Sequence, residues 1–119
     1  MKRKTRTITI NNKKYIWWCR IDTNDTQLVL SPKRDKTSTI SVSFAKENGY
    51  GGYTENVVIK KNDAERCVKI VEPAMAGLVL PYLQEQESFV TRKHITIDGF
   101  ELLSQMGYEV IETKEGEYW

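Results

Sequence analysis

Residues 15–21, YIWWCRI, place apolar side chains on both faces of any strand they form. Successive side chains of a strand point to opposite sides. Tyr15, Trp17, Cys19 and Ile21 therefore share one face, and Ile16 and Trp18 the other. A strand that is apolar front and back has to be covered twice. The chain must supply a layer on each side of this strand, or offer one side to a second body.

The stretches on either side extend this into a β-layer. Residues 5–10, TRTITI, alternate polar and apolar, and the NNKK that follows is turn chemistry, so residues 5–21 read as a β-hairpin. A two-residue loop puts Ile8 and Ile10 on the face of Tyr15 and Trp17. A one-residue slip would pair them with the face of Ile16 and Trp18. Residues 26–32 read as a short strand ended by Pro32. In 37–44, TSTISVSF, Ile40, Val42 and Phe44 point inward and the Ser and Thr side chains outward, giving one wet face. Residues 55–60 and 65–72 form a second hairpin through KND at 61–63. Val29 and Val58 stand opposite their apolar neighbours, as Trp18 does.

At Pro73 the period changes. Met75, Leu78, Val79, Tyr82 and Leu83 recur at helical spacing. Pro73 suits a first turn, but Pro81 in a helix interior costs about 3 kcal/mol. The spacing thus predicts a kinked helix, or a turn over 73–77 followed by a helix from near Leu80. The next segment, HITIDGFELLSQMGYEVIE, reads as strand, helix, strand. Asp98 is an N-cap, Glu101 completes a capping box, and Ile97 with Leu102 can form a hydrophobic staple. Phe100, Leu103 and Met106 supply the buried stripe, and Gly107 the left-handed C-cap. The expectation is a single α+β domain over residues 1–119, a mostly antiparallel sheet of five to seven strands with two helices in the C-terminal half.

A chain of 119 residues with 39% hydrophobic residues can bury a core without staples. Its charge is uneven. Residues 1–36 hold ten Lys and Arg against three acids, a net of +7; residues 37–119 hold eight against thirteen, a net of −5. A basic N-terminal third is a candidate nucleic-acid surface, with Lys2, Arg3, Lys4, Arg6, Lys13 and Lys14 set on phosphates. The alternative is that basic and acidic segments neighbour each other and partly neutralise. No apolar run approaches the roughly 20 residues of a membrane span, and MKRKTRTITI has no apolar core of a secretory signal. A cytoplasmic protein is expected. Cys19 and Cys67 form no CxxC and lie in strand-like runs, which predicts free buried thiols. One histidine and two cysteines offer little to a structural zinc, and no metal or cofactor is expected.

The glycine-rich stretch NGYGGY, 48–53, fails as a nucleotide loop. Tyr53 follows Gly52 where a phosphate loop needs Lys before its Ser or Thr, Thr54 stands where a dinucleotide fingerprint needs glycine, and a strand rather than a helix follows. It reads as a long inter-strand loop whose Tyr50 and Tyr53 pack over the sheet rim or form an aromatic edge for a partner. His94, the one histidine, heads a short strand without a G-x-S-x-G. DTNDTQ at 22–27 lacks the glycine and terminal glutamate of a calcium loop.

ITINNKKYIWWCR resembles the opening of small uncharacterised bacterial proteins that begin with a hairpin and a Tyr-x-Trp strand, a group that implies no function. ELLSQMGYEVIETKEGEYW resembles the helix, Gly-aromatic pair and hairpin start of the small HicA-like RNA-binding toxins. Those carry a histidine after the hairpin glycine. Here Glu117 follows Gly116, so the resemblance does not carry their ribonuclease role. The first expectation for function is a non-catalytic accessory module of bacterial type that binds itself, as a homodimer, or another protein through Ile16, Trp18, Tyr50 and Tyr53. The second is nucleic-acid binding by the basic third, and the third a small enzyme with a carboxylate or His94 site.

Overall fold

The computed structural model describes residues 5–22, 25–45 and 53–116. In chain order the elements are β1 (Arg6–Ile10), β2 (Lys13–Asp22), β3 (Asp25–Pro32), β4 (Thr39–Ala45), β5 (Tyr53–Lys61), β6 (Ala64–Lys69), α1 (Pro73–Glu85), β7 (His94–Asp98), α2 (Gly99–Gln105) and β8 (Glu109–Gly116). The fold is α+β, but the expected single sheet is two. One has the order β1-β2-β3-β4-β7 and the other β6-β5-β8. The eight strands also exceed the five to seven expected.

The first hairpin turns on Asn11 and Asn12, at φ 48° and 66°. Asparagine tolerates this left-handed pair, which matches the twist of the flanking strands. Ile8 faces Tyr15 and Ile10 faces Lys13, so the two-residue register holds. The second hairpin repeats the device at Asn62 and Asp63, φ 53° and 64°. Every pairing is antiparallel except β4 with β7. After β4 the chain builds β5, β6 and α1 before it returns to the first sheet. That long crossover lets β7 arrive parallel to β4.

The five-stranded sheet buries Tyr15, Trp17, Leu28, Leu30, Ile40, Val42 and Phe44 on its inner face. Three bodies cover that face. Helix α1 packs on β1 and β6, α2 packs on β4, β7 and β8, and β5 lies against β3 and β4. Val57, Ile59 and Val68 come in from the small sheet, and Met75, Val79, Leu80 and Leu83 from α1, to complete one core cluster. The Thr26 hydroxyl donates to the Thr54 carbonyl at 2.7 Å and ties β3 to β5 inside the protein.

Helix α1 runs unbroken from Pro73 to Glu85 with Pro81 inside it, so the late start near Leu80 is overturned. Met75, Ala76, Val79, Leu80 and Leu83 are all buried. Burying a large apolar side chain contributes about 1.5–3 kcal/mol, so the packed face outweighs the proline. Helix α2 begins as expected, with the Asp98 carboxylate accepting from the Phe100 amide at 3.0 Å. It ends at Gly107, φ 93°, with the Tyr108 amide donating to the Leu103 carbonyl at 2.9 Å. Its fully buried side chains are Leu102 and Leu103, while Phe100 and Met106 are half-buried. Phe100 meets Phe44 edge-on at 5.3 Å. The cysteines are free, and the expectation that both are buried is corrected. Cys19 is half-buried, but Cys67 is exposed on β6, an outer strand of the small sheet.

Candidate functional site

The face of the large sheet opposite the core holds the first group of expected partner residues. Ile16 and Trp18 are half-buried there, and neither belongs to the core cluster. Trp18 is paired with Val29, which is itself paired with Ser41. Val29 and Ser41 are only 4% and 2% exposed. The wet face expected for 37–44 is therefore closed at its middle, because large neighbours lie over the small side chains. Trp18, Arg20, Thr39 and His94 stand around a depression of about 220 Å³ floored by Val29 and Ser41. His94 is exposed, with Nε2 3.5 Å from the Ser41 hydroxyl. Beyond Arg20 the face turns polar. Arg20 donates to Gln27 at 2.8 Å, and Gln27 and Ser43 both donate to the Asp25 carboxylate at 2.7 Å. Tyr50 and the Tyr53 side chain lie outside the described residues, as do Lys2, Arg3 and Lys4 and most of the NGYGGY stretch.

The other expected basic residues separate. Arg6 pairs with Trp17 in register and sets its guanidinium 5.4 Å from that ring, on the core side. Lys13 and Lys14 sit at the far end of the hairpin, next to the turn. There they meet cations that the expected set left out. The Lys33 amide donates to the Lys14 carbonyl at 2.9 Å, which brings the β3–β4 loop, with Lys33, Arg34 and Lys36, against the hairpin turn.

A third segment joins them through Asp35. Its carboxylate accepts from the Thr37 amide at 3.1 Å and from the Thr37 hydroxyl at short range. On its other oxygen it accepts from the Thr91 hydroxyl at 2.8 Å. Thr37 Oγ1 in turn accepts from the Arg92 amide at 3.0 Å, and the Thr39 amide donates to the Lys93 carbonyl at 3.0 Å. These hydroxyl bonds, Thr37 first and Thr91 next, hold the Asp35 carboxyl below its usual range, and the Arg92 charge adds to the effect. Arg92 and Lys93 are thereby fixed beside Lys33–Lys36. Lysines 13, 14, 33, 36 and 93 and arginines 34 and 92 are all exposed, and none is ion-paired with a described residue. Asp35 is the acid at the centre of this end, with Glu85 and Glu87 at its edge.

Hollows open on this end. One, about 270 Å³, is lined by Asn12, Lys13, Lys14, Lys33 and Arg34. Another, about 510 Å³, is lined by Lys13, Arg34, Asp35 and Glu87 together with Tyr15, Pro32 and Phe89. Tyr15 and Phe89 lie 5.4 Å apart, tilted by 39°. A sequence signal for this end existed in SPKRDK, residues 31–36, and in TRKH, 91–94. Nothing in their separation along the chain announces that Asp35 joins them. Among the described residues no cluster of His, Cys, Asp and Glu could hold a metal ion, and no helix is long and apolar enough to cross a membrane. No protein-family model matches the chain, and no curated protein or solved structure does.

Proposed function

We propose that the protein is a non-catalytic binding module whose ligand is a phosphate polymer, held by the basic end of the large sheet. The observation that carries this reading is the convergence of three chain segments: Lys13, Lys14, Lys33 and Arg34 line concave surface, the Asp35 and Thr39 bonds bring Arg92 and Lys93 beside them, and none of these cations is ion-paired among the described residues. Like charges brought together repel, and the cost of assembling them is offset when a polyanion releases its counterions on binding. The basic third of the sequence contributes Lys13, Lys14, Lys33, Arg34 and Lys36, and Arg6 is occupied with Trp17.

Retention on immobilised heparin tests it. Wild type should elute well above physiological salt, and Arg34→Ala with Lys33→Ala should elute earlier. Affinity for a labelled nucleic acid should fall log-linearly with salt, with a slope of about −2 to −4 for three to five phosphates neutralised. Elution with the void volume at low salt sinks the reading.

A second reading is self-association through the outer face of the large sheet. It is favoured by Ile16, Trp18 and Val29 lying together on a face that contributes nothing to the core cluster. Sedimentation across a hundredfold range of concentration decides it: a constant monomer mass sinks the homodimer.

A further inference from the structure

We propose that the larger hollow is a seat for an unpaired base, so that the phosphate polymer this end binds is single-stranded nucleic acid rather than duplex. This rests on the binding function proposed above and adds the class of ligand. A surface meant for phosphates alone needs cations and water, yet Tyr15, Pro32, Leu83 and Phe89 line this one alongside Lys13 and Arg34. Phe89 is half-buried and lines the hollow. Base faces stack on such rings in any sequence, while the backbone follows the charges.

The apolar lining is held rigid. The Gln84 amide donates to the Tyr15 hydroxyl at 2.9 Å and to the Ile10 carbonyl at 3.1 Å, and its Oε1 accepts from Asn11 at 2.8 Å. These bonds lock α1 to the hairpin, so the site does not have to order itself when the ligand arrives. Phe89 is set beside Tyr15 by the end of α1, where Glu87 takes φ 53° and the Ser88 amide returns to the Leu83 carbonyl at 3.0 Å. A volume of about 510 Å³ has room for a base and its sugar.

Glu87 decides between the two nucleic-acid forms. It lines the same hollow as Lys13 and Arg34, and so does Asp35, whose two oxygens are already bonded to Thr37 and Thr91. A duplex keeps its base faces inside and would press only sugar and phosphate onto the apolar lining, with Glu87 repelling the phosphates. An unpaired base instead brings ring faces for Phe89 and amino groups for the Glu87 carboxylate, while its phosphates reach Lys13 and Arg34. The same acid thus opposes one ligand and accepts the other.

The test uses the full chain and three probes at one salt concentration. These are a labelled mixed-sequence single strand of about twelve nucleotides, the same strand in duplex form, and a heparin column. The single strand should bind at least tenfold tighter than the duplex. Phe89→Ala should weaken the single strand about tenfold, since aromatic stacking contributes that order per base, and shift heparin elution less than Arg34→Ala with Lys33→Ala does. Phe89→Trp should keep the affinity, which separates stacking from a folding defect. Glu87→Gln should raise duplex affinity more than single-strand affinity. Equal binding of single strand and duplex, or a Phe89→Ala variant that is folded and unimpaired, overturns the base seat while heparin retention leaves the polyanion reading standing. Absence of binding to all three probes overturns both.

Discussion

The Thr91 hydroxyl donates to the Asp35 carboxylate across 56 residues of sequence, and the basic end is assembled around that bond. Asp35 bridges two cationic loops rather than answering their charge from outside. Removing it adds net positive charge, which by itself would favour a polyanion. It also releases Arg92 and Lys93 from their places beside Lys33 and Arg34.

Asp35→Asn is therefore expected to speed amide exchange at Thr37 and Arg92, whose N–H groups are bonded to Asp35 and to Thr37. It should also lower stability in a pH-dependent way. The folded carboxyl titrates below its ordinary 3.8, so around pH 4 the unfolded chain binds more protons than the folded one. Stability from this group is fully present above about pH 4 and is lost as pH falls through the lowered folded value. Urea unfolding of wild type and variant should differ most at neutral pH and converge in acid. A constant gap down to pH 2.5 contradicts the assignment.

Thr26→Val tests the joint between the sheets. Thr26 is fully buried, and its hydroxyl is the donor to the Thr54 carbonyl at 2.7 Å. Valine keeps the shape and leaves that carbonyl short of a partner, a loss of about 1–2 kcal/mol. The urea midpoint should drop at unchanged slope, because the surface exposed on unfolding stays the same.

Gly99 is required by space. A Cβ there would stand 2.8 Å or less from three carbons of the Phe44 ring, and Phe44 is completely buried and fixed edge-on against Phe100. Gly99→Ala should cost about 1–3 kcal/mol through overpacking. The double variant with Phe44→Leu should cost less than the two single effects added, since leucine vacates the ring edge. Strict additivity in thermal unfolding would remove the contact from the explanation.

These positions show what the sequence discloses and what it conceals. Local chemistry is legible. The two asparagines at 11–12 set the first hairpin register, KND sets the second, and Asp98 and Gly107 bracket α2. Each acts within a few residues, so a local reading finds it. The division into two sheets is not legible, because it depends on which sheet β5 joins, and alternation looks the same in either sheet. Pro81 misleads for a related reason: its cost is local, whereas the burial of Met75, Leu80 and Leu83 is tertiary. The candidate site divides the same way. Lys13 and Lys14 are visible in a basic third, but Arg92, Lys93 and Phe89 join them only through long-range pairing.

The two thiols should differ sharply in reactivity, in the sense opposite to a shared buried fate. Cys67 is exposed on β6, whereas Cys19 is half-buried with Sγ 3.6 Å from the Ile70 carbonyl, to which it donates. Burial pushes the Cys19 thiol up from 9.0 to about 11, against a smaller opposing pull from Arg6. The thiolate is the nucleophile, and at pH 8 about one Cys19 in a thousand carries it, given its value of about 11. Iodoacetamide at pH 8 should thus alkylate Cys67 alone, with Cys19 modified only after unfolding, as peptide mass mapping will record. The same burial links Cys19 to stability. Between its ordinary value of 9.0 and its folded value of about 11 the folded chain retains a proton that the unfolded chain releases, so stability falls as pH rises through that window. Cys19→Val lacks this proton. The stability of wild type relative to Cys19→Val should be flat below pH 8 and decline above pH 9, by at most about 2 kcal/mol once partial solvent access is allowed for. A relative stability that stays level to pH 11 shows that the Cys19 thiol titrates as it does in the unfolded chain.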